Sequence, residues 1–190
     1  LSLEAGGYHL VVARFEVENH VDVVVDGYTR SSARRPLVVV GSAPYSDEHT
    51  RRIESLADAR VRLLGGIWDQ ELLDQLYAGA LIYHHGHSVG GTNPSLLRAI
   101  GAGTAVDPFN REVLGDAGRY WSDADDVAAL VASAEADPAA HLERGGLSLE
   151  RARLYDWDEV ADRYEALARR LAAQGPSHHR PSGRRAGVIG

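Results

Sequence analysis

Residues 83–98 read YHHGHSVGGTNPSLLR, a passage in which an apolar stretch runs through a glycine-rich loop directly into a capped helix. Asn93 followed by Pro94 marks the helix start, because an Asn side chain satisfies first-turn amides and proline suits the first helical position. Gly101 and Gly103 supply the stop, which places the helix at Pro94–Ala102. Ahead of the loop, Ala80–Tyr83 is apolar on both faces and reads as a buried strand.

The same unit repeats outward from this point. Strands are predicted at Tyr8–Ala13, Leu37–Val40, Val61–Leu64 and Thr104–Val106, and helices at Val21–Thr29, Glu48–Ala57 and Gln70–Ala78. Strands without polar alternation, separated by helices, specify an α/β fold: a Rossmann-like, doubly wound, mainly parallel sheet. In such a sheet ligands sit beyond the carboxyl ends of the strands, here the loops after Val12, Val40, Leu64 and Tyr83. After Ser122 the chain turns helical. Val127, Leu130 and Val131 have core spacing, and Val160, Tyr164, Leu167 and Leu171 form a second apolar stripe predicted to pack. Residues 175–190, GPSHHRPSGRRAGVIG, lack periodicity and are predicted to be a disordered tail whose His178 and His179 are simply solvated. The expected organisation is one domain over residues 1–174, followed by that tail.

Composition narrows the function. The 190 residues are 44% apolar, enough for one core, and carry a formal charge of -7. All twenty basic residues are Arg and are interspersed with acids, so no concentrated basic face for nucleic acid is expected. Cysteine is absent, which excludes disulfides and thiolate chemistry. No apolar run approaches the ~20 residues of a membrane span, and no signal peptide is recognisable. A cytoplasmic location is expected, compatible with a peripheral seat at the inner face of the cell membrane. The chain opens on Leu1 and contains no Met, so it reads as a piece of a longer protein.

The loop in the opening passage admits two readings. Gly86, Gly90 and Gly91 allow close backbone approach, and the amides and dipole of the following helix favour an anion such as a diphosphate. A tight strand-to-helix turn without ligand uses glycine in the same way. A P-loop would need Lys where Thr92 follows Gly91, and no GxGxxG follows the first strand. His84, His85 and His87 do not form a metal set, because successive strand residues point to opposite faces and no acidic ligand lies nearby in the loop. His87, beside a phosphate site, suits a hydrogen-bonding role.

The strings HGHSVGGTNPSLLRAIGAG and PFNREVLGDAGRYW resemble the donor-site region of GT-B glycosyltransferases of the large retaining family 4 type, which includes bacterial polysaccharide rhamnosyltransferases. The likeness covers about Tyr8 to Leu171. YHLVVARFEVENHVDVVVDGY is similar to the strand, loop and helix that open the C-terminal domain of that group, LVVVGSAP to its second strand, RLLGGIWDQELLDQLYAGA to its base-binding loop, and YDWDEVADRYEALARRL to its closing helix. The resemblance implies a donor-binding domain for a nucleoside diphosphate sugar, dTDP- or UDP-linked, with no metal or other cofactor and with the acceptor held by an N-terminal domain that this chain lacks. Arg14 would contact the diphosphate, and Asn19 stands where a Lys is common. Gly65, Gly66 and Ile67, continuing to Trp68, would line the base, while His87, Ser88, Gly90, Gly91 and Thr92 would meet phosphates and sugar.

Departures from the family pattern are specific. Its acidic pair falls on Gly90 and Arg98, and Arg98 reverses the charge of the carboxylate that holds the ribose. The segment GTAVDPFNRE is also short, which trims the fifth strand. Two other readings therefore stand beside a transferase half. One is a degenerate, non-enzymatic remnant. The other is a sugar-phosphate enzyme of the phosphorylase or epimerase kind, which would need a Lys or a second acidic residue in the phosphate loop.

Overall fold

In the computed structural model, residues 1–43, 47–89, 92–108 and 111–174 are described. The predicted tail, with His178 and His179, lies outside the described residues, as do Gly90 and Gly91. Contacts divide the chain into two units, Leu1–Leu154 and Tyr155–Gly190.

The first unit is a sheet of five parallel strands with flanking helices. In chain order it contains β1 (His9–Val12), α1 (Val21–Arg30), β2 (Leu37–Val40), α2 (Asp47–Leu56), β3 (Val61–Leu63), α3 (Gln70–Gly79), β4 (Ile82–His85), α4 (Pro94–Gly101), β5 (Val106–Pro108), α5 (Ala124–Ala136) and α6 (Pro138–Ala152). The strand order is β3-β2-β1-β4-β5, and every pairing is parallel. This is the doubly wound topology the apolar runs imply. The order reverses between β1 and β4, where a crevice must open at the carboxyl ends of the strands. The second unit holds α7 (Trp157–Gln174), none of whose residues is buried; Tyr164 and Leu171 of the predicted packing stripe are exposed.

Among the described residues of the first unit, three helix starts carry an Asp cap that is visible in the sequence. Asp69, Asp123 and Asp137 accept from Leu72, Asp126 and Ala140 amides at the starts of α3, α5 and α6. Helix α1 differs: its cap is His20 in the left-handed region at φ 47°, with no side-chain cap bond. One main core joins Val11 and Val39 of the sheet to Val24, Val25 and Tyr28 of α1 and to Val127 and Val131 of α5. Helix α1 approaches α5 closely at Gly27, where an added Cβ would lie 2.4 Å from the Ala124 carbonyl oxygen.

Two strands run about two residues later than the apolar runs predict. β4 starts at Ile82 because the Ala80 amide closes α3 on the Tyr77 carbonyl, and it extends through two histidines. β5 starts at Val106 because the Thr104 amide is held by the Ala99 carbonyl and its hydroxyl by that of Tyr77. Polar residues can occupy these strands because partners from distant elements reach them. His84 is buried beside His9 of β1, Nε2 to Nδ1 at 3.2 Å, and His9 Nε2 lies 3.4 Å from the Glu135 carboxylate. These distances fit a proton arrangement in which His9 donates to Glu135 and His84 donates to His9, with His84 Nδ1 left without a partner among the described residues. Asp107 of β5 is fully buried and pairs with Arg144 of α6 at 2.8 Å.

Candidate functional site

The site is assembled where four loops are drawn together at the carboxyl ends of the strands. The Ala13 amide donates to the Val40 carbonyl, and the Gly41 amide donates to that of Gly65 at 2.9 Å. Gly41 has φ +153°, and a Cβ there would sit 1.7 Å from the Ala13 carbonyl oxygen, so only glycine permits this approach. Gly86 plays the same part after β4: an added Cβ would meet the Asn19 carbonyl oxygen at 2.1 Å. The Ser88 amide and hydroxyl both donate to the Glu18 carbonyl, at 3.0 and 3.1 Å, which ties this loop to the 3-10 turn at Val17–Asn19.

Between these loops lies a cleft of about 400 Å³ at the switch between β1 and β4. Of the residues singled out by sequence, Arg14, Asn19, Gly66, Ile67 and His87 line it. Gly65, at φ +68°, stands beside Gly66 and holds the Gly41 amide. Trp68 also lines the cleft and is 88% exposed, which leaves a flat aromatic face at the rim. Arg14 is exposed and makes no ion pair among the described residues. Its charge is felt by His87: burial lowers the pKa of that imidazole, Glu18 opposes the shift, and Arg14 adds to it.

Other expected residues are placed differently. Asn19 is buried, and its side-chain amide donates to the Arg14 carbonyl at 2.8 Å, so it orders the loop that carries Arg14. Ser88 and Thr92 are exposed and do not line the cleft, and Gly90 and Gly91 are outside the described residues. Arg98 points toward α3, where it pairs with Asp74 and donates to the Gln70 side chain at 2.7 Å. Its charge is thus matched outside the cleft.

The first turn of α4 departs from the expectation of free amides. Pro94 has no N–H, and the Ser95 and Leu96 amides both turn to Asn93 Oδ1, at 2.8 and 3.4 Å. The same Asn that announces the helix occupies the donors that an anion would have used. The positive end of the helix dipole remains, but the side chains of Arg14 and His87 are the principal donors that the described cleft offers an anion.

A hydroxyl chain beneath the cleft was not expected from the sequence. Ser95 Oγ, in the cleft wall, meets the hydroxyls of Tyr77 and Tyr83 and lies 3.0 Å from the Val12 carbonyl. Tyr83 Oη lies 3.3 Å from Nδ1 of His85, whose ring stacks on that of His87 with centroids 5.6 Å apart and planes 13° apart. Burial, with His87 adding, holds the His85 pKa down to about 3, so this ring is neutral at physiological pH. The period-2 alternation of β4, placing Tyr83 and His85 on one face and His84 on the other, is the signal that could have revealed the chain. No group of three or more His, Asp or Glu side chains able to hold a metal ion occurs among the described residues.

No protein-family model matches the chain, and no curated protein matches it either. Solved structures do. Sucrose-phosphate synthase from Thermosynechococcus elongatus superposes with TM-score 0.75 at 24% identity, covering 90% of this chain and 46% of that one. A UDP-forming α,α-trehalose-phosphate synthase from Burkholderia vietnamiensis gives 0.73 at 16% identity over 87% and 46% of the two chains. Anabaena HepE, in a complex with UDP and glucose, gives 0.75 at 12% identity over 88% and 49%. The chain therefore spans about half the length of these proteins, and its fold is the one shared by such GT-B glycosyltransferase domains.

Proposed function

We propose that this chain is the donor-binding half of a glycosyltransferase that takes a nucleoside diphosphate sugar, UDP- or dTDP-linked. One observation carries the reading: Arg14, which makes no ion pair among the described residues, converges with His87 and the exposed Trp68 on a single cleft at the switch point of the sheet. The arrangement suits a diphosphate at Arg14 and His87, with the base along Gly65, Gly66, Ile67 and Trp68. With no metal in the proposed chemistry, the leaving diphosphate needs protein cations. Arg14 supplies one, and His87 becomes a second on taking up a proton beside the anion.

The finer assignments rest on the resemblance of the HSVGGTNPSLL region. They are a sugar such as rhamnose, transfer with retention, a saccharide or lipid-linked acceptor held by an N-terminal half, and a cytoplasmic site of action. That the chain spans about half of its structural neighbours supports a separate acceptor half. No helix among the described residues is long and apolar enough to cross a membrane. The reading of a degenerate remnant draws on Arg98, but the pairing of Arg98 with Asp74 keeps that charge out of the cleft.

Calorimetric titration with UDP and with dTDP tests the proposal. One-site binding is expected, weakened roughly 10- to 100-fold by Arg14→Ala, as for loss of hydrogen bonds to a charged group. Absence of both heat and thermal stabilisation at millimolar nucleotide overturns it.

A further inference from the structure

We infer that His85 is a positioning residue for His87: its buried ring is the floor on which the His87 imidazole is held facing the cleft, and the hydroxyls of Tyr77, Ser95 and Tyr83 fix that floor. The inference rests on the nucleotide-binding reading of this cleft and adds a layer beneath it.

Geometry carries the argument. An apolar side chain would fill a buried strand position equally well, so core packing alone does not call for imidazole at residue 85. Imidazole adds two features, a flat face that stacks on His87 and a ring nitrogen within reach of Tyr83 Oη. The hydroxyl hydrogens can be assigned consistently. Tyr77 donates to Ser95 and Ser95 to the Val12 carbonyl, which Tyr83 Oη also reaches at 3.2 Å, while His85 Nδ1 meets the Tyr83 hydroxyl at 3.3 Å. In either tautomer the contact with the Tyr83 hydroxyl fixes the orientation of the ring. The chain joins α3, α4, β1 and β4, so the pose of His87 is set by four elements rather than by its own loop.

Among the described residues, three titratable or charged groups face His87. Glu18 comes from the 3-10 turn, Arg14 from the loop after β1, and His85 from β4. Stacked this way, His87 takes up a proton when a diphosphate enters, and its imidazolium rests on a neutral aromatic face.

The test combines NMR titration of the His87 ring in the free protein with UDP affinity between pH 6 and 8. In the wild-type protein UDP binding is expected to tighten as pH falls, with net proton uptake. His85→Leu, which removes the flat face but keeps the position apolar, should move the His87 midpoint further down and weaken UDP binding about fivefold at pH 7. His85→Phe, which keeps a face, should retain most of the affinity. Tyr83→Phe, which preserves core volume, should shift the His87 midpoint in the same direction by less, and it decides the matter if His85→Leu does not fold. A lowered melting temperature with an unchanged His87 titration in these variants makes His85 an ordinary core residue and overturns the inference. Wild-type protein that fails to bind UDP overturns the functional reading instead, while the titration of the free protein still judges the positioning role.

Discussion

His84 and His85 are neighbours on one strand, and they serve opposite purposes. His84 faces the α1 and α5 side, buried in a polar chain through His9 to Glu135, near the buried pair of Asp107 and Arg144. His85 faces the α3 and α4 side and supports the cleft through its stack on His87. The difference arises from the pleat alone, which sends successive side chains to opposite faces. Identical residue types, one position apart, therefore divide between holding the sheet together and shaping the cleft.

The sharpest way to break this comparison is to compare two arginines, one on each side of the division. Arg144→Leu leaves Asp107 fully buried without its cation, and breaking such a pair costs about 3 kcal/mol or more. Chemical denaturation should register that loss, whereas UDP affinity measured on the folded variant should stay within twofold of wild type. Arg14→Ala should do the reverse. If Arg144→Leu weakens UDP binding while leaving stability intact, the two sides are not separable in this way.

An intermediate effect is expected from acid. Burial lowers the pKa values of His84, His85 and His141, the latter two to about 3 and about 4. Above pH 6.5 these groups are neutral in both folded and unfolded chains and contribute nothing to pH dependence. Below it the unfolded chain binds protons that the folded protein refuses, so stability falls as pH drops, down to each folded-state pKa. Glu135 acts in the same direction. Burial would raise its pKa, but His9 and the Arg34 and Arg35 amides hold it near 2, so its contribution too is lost in acid. The melting temperature should decline steadily from pH 7 to pH 5, and a flat profile would contradict the burial of these rings.

The smallest effect belongs to Arg98. Its pairing with Asp74 is largely solvent-exposed, so Arg98→Gln should change stability by less than about 1 kcal/mol. UDP affinity should be unchanged, since Arg98 does not line the cleft. A tenfold change in affinity would place this side chain in the site after all.

Much of this architecture was legible because strands buried on both faces announce themselves as unbroken apolar runs, and the Asn93–Pro94 cap marked α4 to the residue. The strands that ran late were those whose polar residues are satisfied from far away. Nothing near Asp107 in the sequence points to Arg144, and nothing near His84 points to His9. The left-handed cap at His20 was equally hidden, because no glycine marks it. In the site, His87 drew notice because loops after parallel strands converge at the switch point, whereas Arg14 was singled out by the resemblance to GT-B transferases. Three particulars needed coordinates: Asn93 closing the Ser95 and Leu96 amides, Asn19 using its donor on the Arg14 carbonyl, and Arg98 turning to Asp74 across 24 positions of sequence. Each depends on which of several reachable partners a side chain selects, and spacing does not encode that choice.

A crystal structure of the UDP complex tests the central claim most directly. The account predicts the diphosphate within hydrogen-bond reach of the Arg14 guanidinium and the His87 ring, with the uracil against Gly66 and Trp68. Nucleotide bound elsewhere, or in the cleft with the diphosphate turned away from Arg14, would contradict it.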